Sequence, residues 1–295
     1  QGNGLLPEAN YEFGPDGKML DGIVEKDGTL YYYVKGQPKT AGLVCVDGDY
    51  YFAGGSNGEV AVNKVQYIWQ SNGLLPESNR EFGPDGKMLD GIVEKDGTLY
   101  YYVKGQPKMA GLVCIDGDYY FAGGSKGEII VNKKQYIWQS NGLLPASNRE
   151  FGPDGKMLDG IVEKDGTLYY YELGQPKTAG LVCIDGDYYF ANGKQGEVAT
   201  QKQYVWQGNG LLPEGNYEFG EDGKMLDGFI TRDGAIYYYE NGKPGKLGLN
   251  YIDGYYYFIT GGGLLKRNGT YYVWETNGLS VGMNYTFDEY GRAVV

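Results

Sequence analysis

The chain has 295 residues, rich in glycine (51) and tyrosine (31) and without histidine. Lysine and arginine total 26 against 38 aspartates and glutamates, a net charge of −12. That balance excludes nucleic acid and anionic lipid as partners, because both are held by basic patches that displace counterions. The missing histidine removes the commonest general base and the commonest metal ligand.

No apolar run approaches the ~20 residues that cross a bilayer, so no membrane insertion is expected. The sequence starts without Met or a signal peptide and reads as a piece of a longer, secreted protein. In chain order the first landmark is Asn-Gly-Leu-Leu-Pro, which begins at Asn3, Asn72, Asn141 and Asn209. This spacing divides the chain into repeats 1–69, 70–138, 139–206 and 207–274 with a partial repeat at 275–295. The fourth repeat is the most diverged, as a capping unit would be.

Within the first repeat four strand cores follow one another. They are Tyr11-Glu12-Phe13, Tyr31-Tyr32-Tyr33, Tyr50-Tyr51-Phe52 and Tyr67-Ile68-Trp69, and the first recurs as Arg80-Glu81-Phe82. Pro15-Asp16-Gly17 is a turn by composition. Asp27-Gly28 and Asp47-Gly48 each separate two β-prone runs, the strongest short hairpin signal, because both central residues need positive φ. Four hairpins per repeat are therefore expected, with the pairing of the third core left open because it lacks such a turn. A lone hairpin cannot bury its aromatic face, but stacked copies can. No segment keeps a 3.6-residue apolar period. The expected fold is all-β, an elongated β-solenoid of stacked hairpins, as a monomer or loose dimer.

Cys45, Cys114 and Cys183 recur every 69 residues, with Tyr251 in the fourth copy. One cysteine per repeat is not a disulfide framework, and buried free thiols are expected. Asp27, Asp47 and Asp49 lack the ordered oxygens of a calcium loop, so neither metal nor cofactor is expected. Carboxylates such as Glu25 and Glu59 recur in each copy, whereas a catalytic centre is one asymmetric cluster. No enzyme is expected. Asn268-Gly269-Thr270 and Asn284-Tyr285-Thr286 match the glycosylation sequon.

Two aromatic series are candidate ligand platforms. Tyr32, Tyr101, Tyr170 and Tyr238, with Tyr51, Tyr120, Tyr189 and Tyr257, hold the middle place of their triplets. They form either a row for sugar stacking or a ladder that stabilises the sheet, and Leu30 and Val34 share their face. Trp69, Trp138, Trp206 and Trp274 are the only tryptophans. They sit in the always-aromatic third place, which points to core packing, and the alternative is a sugar platform.

The segments Gly22 to Tyr33, Gly42 to Phe52 and Phe13-Gly14-Pro15-Asp16-Gly17-Lys18-Met19 resemble the cell-wall-binding repeats of Gram-positive bacteria. That group includes choline-binding, glucan-binding and clostridial toxin receptor-binding repeats, and the match covers nearly the whole chain. The family pattern has Trp where this chain has Ile23, Leu43, Leu30 and Asp49. Those tryptophans build the cage for a quaternary ammonium, an interaction of about 0.5–2 kcal/mol per ring, so choline binding is not expected. The resemblance implies a hairpin fold, a secreted or wall-attached surface location, and multivalent binding of a cell-wall polysaccharide or host glycan. The alternative is a spacer that displays another domain.

Overall fold

A computed structural model describes residues 7–69, 73–138, 142–206 and 210–294. Asn3, Asn72, Asn141 and Asn209, and the repeat starts at 70, 139 and 207, lie outside the described residues. The protein is all-β, a solenoid of hairpins in antiparallel sheets of two or three strands. A 3-10 turn at Gly261–Gly263 is the one helical element among the described residues.

The chain forms two compact units, residues 1–157 and 158–295. Each holds two sets of three hairpins. In the first set a lead hairpin pairs Gly22–Lys26 with Thr29–Val34. A middle hairpin pairs Gly42–Val46 with Asp49–Ala53. A long-loop hairpin pairs Lys64–Ile68 with Ser78–Phe82. The second set repeats them at Gly91–Lys95 with Thr98–Val103, Gly111–Ile115 with Asp118–Ala122, and Lys133–Ile137 with Ser147–Phe151.

The second unit holds the other two sets. Its lead hairpins pair Gly160–Lys164 with Thr167–Glu172 and Gly228–Arg232 with Ala235–Glu240. Its middle hairpins pair Gly180–Ile184 with Asp187–Ala191 and Gly248–Ile252 with Tyr255–Ile259. Its long-loop hairpins pair Gln203–Val205 with Gly215–Tyr217 and Gly269–Val273 with Met283–Phe287.

The expected Asp-Gly turns are present. Lys26 faces Thr29 across Asp27 (φ 49°) and Gly28 (φ 75°), and Val46 faces Asp49 across Asp47 (φ 52°) and Gly48 (φ 93°). Two successive positive φ angles match the right-handed twist of the flanking strands. The count of four hairpins per repeat is corrected to three. The third core and the recurring Arg80-Glu81-Phe82 core are the two arms of one hairpin, with Ile68 opposite Ser78. Its nine-residue connection, 69–77, hid the pairing from a search for two-residue turns.

A further turn at Lys35-Gly36, between Val34 and Gln37, carried no Asp-Gly signal. Its non-glycine residue has φ 47°, and the N–H of Lys35 donates to Asp21 Oδ1 at 2.9 Å. Asp90, Asp159 and Asp227 accept in the same way from Lys104, Leu173 and Asn241. The carboxylate stabilises a left-handed residue that is otherwise unfavourable, above all at Leu173.

The middle hairpin is covered on both faces. On one face Val44 and Tyr51 join Val60, with Ile23, Leu30 and Tyr32 of the lead hairpin packed against them. On the other, Leu43 joins Ile68, Leu75, Phe82 and Met88, with Tyr50 and Phe52 beside them. Backbone bonds knit the layers. Val60 N–H donates to Leu30 O and Met88 N–H to Tyr50 O, both at 2.8 Å. Glu81 N–H then donates to Gly105 O at 2.9 Å, joining the long-loop hairpin to the next lead hairpin. There Glu81 also pairs with Lys95 and accepts from the Tyr102 hydroxyl at 2.7 Å.

The cysteines were expected inside and are exposed. Cys45 faces Tyr50 on the side where Leu43 is buried, but two residues nearer the Asp47-Gly48 turn, where the neighbouring hairpin no longer covers it. A thiol reagent should therefore titrate three groups in the native protein as fast as after denaturation. Protection of the thiols until unfolding is the opposing result.

The glycines of the two turn types differ in surroundings. A Cβ on Gly97 (φ 73°) meets nothing within 4 Å, whereas one on Gly105 (φ 74°) lies 2.8 Å from Arg80 Cβ and 3.0 Å from the Glu81 backbone nitrogen. Gly97→Ala should cost about 1–2 kcal/mol, the left-handed penalty alone. Gly105→Ala should cost roughly 1–3 kcal/mol more, from overpacking. Urea unfolding of the two variants measures the difference.

Candidate functional site

The four tryptophans are on the surface, and the expectation of core packing is corrected. Trp69, Trp138, Trp206 and Trp274 are 74–79% exposed. The reason is strand parity. Ile68 is fully buried, and successive side chains leave a strand on opposite faces, so the residue after it turns outward. In the lead and middle hairpins the aromatic triplet lies on the second arm. Here it lies on the first, and its middle member is the inward one.

The tyrosine series is placed the other way. Tyr51, Tyr120, Tyr189 and Tyr257 are buried, at 7–8% exposure, and Tyr32, Tyr101, Tyr170 and Tyr238 are half-buried against them. Burial pushes the phenols of Tyr51, Tyr120, Tyr170, Tyr189, Tyr238 and Tyr257 above their ordinary range. These rings fill the seam between lead and middle hairpins.

The outward face of each long-loop hairpin carries a recurring group. The Tyr67 and Trp69 rings meet edge to face at 4.6 Å, Tyr136 and Trp138 at 4.5 Å, and Tyr204 and Trp206 at 4.8 Å. Tyr272 and Trp274 hold the same places in the last set, 60% and 75% exposed. Directly across the ladder from each tyrosine is an exposed asparagine, with Tyr67 facing Asn79, Tyr136 facing Asn148, Tyr204 facing Asn216 and Tyr272 facing Asn284. Paired residues share a face, so Trp, Tyr and Asn form one open platform per set. The asparagines were missed in the sequence, although the one before each Arg-Glu-Phe, Tyr-Glu-Phe or Tyr-Thr-Phe core recurs in every copy.

The next row of that face varies. Val65 faces Glu81, Lys134 faces Glu150 at 4.0 Å, and Thr270 faces Thr286, with their hydroxyl oxygens 2.8 Å apart. The residue beside each asparagine points inward and holds the loop. Arg80 donates to Pro76 O at 3.1 Å, and at the equivalent place Tyr217 donates to Pro213 O at 2.7 Å.

A groove of about 720 Å³ in the first unit runs past Met109, Phe121, Glu128 and Lys133. It is apart from the platforms. Among the described residues no group of three or more histidines, cysteines, aspartates or glutamates could hold a metal ion. No helix among them is long and apolar enough to cross a membrane.

No family model matches the chain. Glucosyltransferase-S of Streptococcus mutans serotype c is 26% identical over 256 residues, which take in 75% of this chain and 17% of that protein. This chain therefore spans 17% of the length of that relative. Among solved structures, choline binding protein F from Streptococcus pneumoniae is 22% identical, with 93% of this chain and 98% of that one covered and a TM-score of 0.33. The choline-binding domain of CbpL from the same species is 20% identical, with 72% and 100% covered and a TM-score of 0.29. The repeats are similar to those of the choline- and glucan-binding class of cell-wall-binding repeats, as the hairpin motifs implied.

The phenols at the junctions between sets give the protein an alkaline limit. Tyr239 is pushed up to about 12, first by burial and then by the hydrogen bond its hydroxyl gives Glu218 at 2.8 Å. Below its ordinary value of 10 both folded and unfolded states keep the proton, and the contribution to stability is whole. Between about 10 and 12 the unfolded chain loses its proton first, so stability falls as pH rises. Thermal unfolding should move down across that window, and Tyr239→Phe should flatten part of the slope.

Proposed function

We propose that this chain is a non-catalytic, multivalent module that binds cell-wall or other surface glycans, in a secreted or wall-attached setting. The observation that carries this reading is the four open Trp–Tyr platforms, one per set. A large exposed indole is unfavourable in water unless something covers it, and indole and phenol rings suit the apolar faces of sugars. A spacer needs no such surface. A quaternary ammonium is enclosed best by rings on several sides, and each platform offers two.

The matched relative supports the reading only in part. It is a glucosyltransferase by name, and 17% of it is matched, so its activity is not carried over. Recurrence supports a repeated weak site, with linked sites gaining roughly 10²–10⁴ over one.

The test is retention of the full chain on wall preparations and a glycan panel. Successive Trp→Ala changes at Trp69, Trp138, Trp206 and Trp274 should lower avidity by a growing factor, and all four together should abolish it with the β spectrum intact. A wild-type chain retained on none of these surfaces would sink the binding reading and leave the spacer. Binding that survives loss of all four indoles would place the site elsewhere.

A further inference from the structure

We infer that Asn79, Asn148, Asn216 and Asn284 are ligand-binding residues, and that with them each platform selects an uncharged sugar ring from within a polymer. The inference rests on the glycan reading above and narrows it.

Four observations lead there. Asparagine is a poor strand residue, yet it stands inside the ladder opposite the tyrosine in all four long-loop hairpins. Packing does not require it, because all four are exposed. The inward work of the strand is done by its neighbours, Arg80 and Tyr217, which bond to the loop.

The outward row beyond changes from Val65–Glu81 to Lys134–Glu150 to Thr270–Thr286, while the Trp–Tyr–Asn group stays. The first-arm position of that row thus tolerates changes, whereas the three side chains of the platform recur in all four sets.

An amide offers both a donor and an acceptor without charge. Beside two rings that cover a sugar's apolar face, it can read adjacent hydroxyls of the same ring. Glu81 and Glu150 in the next row are paired with Lys95 and Lys134, so the charge that bears on a polymer is the chain's net −12. An acidic polysaccharide is repelled, and a neutral one is not.

The platform is an open strand face with its indole 74–79% exposed. It has no wall that would stop a chain, whereas recognition of a chain end needs an enclosed pocket. Internal residues of a polymer are therefore admitted.

Affinity electrophoresis of the full chain tests this, with dextran, hydroxyethylcellulose and a galactan as neutral polymers and polygalacturonate as the acidic one. The expected result is retardation by at least one neutral polymer, equal for its long and short fractions at the same mass concentration although their chain ends differ in number, and none by polygalacturonate. Changing all four asparagines to Thr, a better strand residue, should lower retardation about tenfold or more, the factor for one lost hydrogen bond of ~1.4 kcal/mol. The unfolding midpoint should not fall. A parallel set of Asn→Ala changes guards against a new threonine contact.

Unchanged binding in both sets overturns the assignment, and so does binding that falls only in step with stability. Equal binding of polygalacturonate overturns the neutral selection, and binding that rises with the number of chain ends overturns the internal one. A chain that binds no polymer loses the glycan reading itself. If the four Trp→Ala changes abolish binding while the asparagine changes do not, only the present inference fails.

Discussion

A two-stranded ribbon five residues long has two faces and almost no interior. That constraint governs the whole protein. The middle hairpin meets it by burying both faces, Leu43 toward the long-loop hairpin and Val44 with Tyr51 toward the lead hairpin. Neither neighbour is stable alone either, so each layer exists only because the next one covers it. The aromatic content follows, since tyrosine gives a thin ribbon a large apolar ring and a hydroxyl that can still find a partner at the rim. The Tyr102 hydroxyl on Glu81 and that of Tyr239 on Glu218 are of this kind.

The same contacts are made with different residues along the chain, which shows what each position is for. Lys87 pairs with Asp49, Lys156 with Asp118 and Lys224 with Asp187, each at 2.6 Å, tying a turn to a middle hairpin. At the last such turn the cation is Arg292, over the Tyr255 ring at 5.1 Å and beside Asp288 at 2.9 Å. Both partners have changed and the link remains. Arg80 and Tyr217 show the same exchange on a proline carbonyl. Exposed pairs of this kind contribute little individually, so their recurrence reflects register more than strength.

Much of the fold was legible because two-residue turns are local. Asp27-Gly28 specifies its own geometry, and the two flanking runs must then pair. The long-loop hairpin was not legible, since Ile68 and Ser78 are brought together by tertiary packing and not by a turn signal. The phase of the tryptophans was lost with it. An aromatic triplet has the same appearance on either arm, and only the pairing of Lys64–Ile68 with Ser78–Phe82 decides that Ile68 goes in and Trp69 out. For the tyrosines the sequence left a sugar row and a structural ladder open, and their burial fits the structural one. Alternation marks an open face only when one side of a ribbon is wet, and the middle hairpin is covered on both. Asn79 and its counterparts were visible as a recurring letter, but nothing in the sequence set them opposite a tyrosine.

Within each unit the first set ends on a surface that matches the start of the second. Glu81 meets Lys95, and Glu218 meets Arg232 at 3.8 Å. The seam between sets is therefore interchangeable. Unequal recombination between copies of the gene segment, which adds or removes a whole period, creates no interface that the protein has not already solved. Array length becomes a heritable variable that can drift or be selected without any repair of the core, and the number of tryptophan platforms changes in step with it.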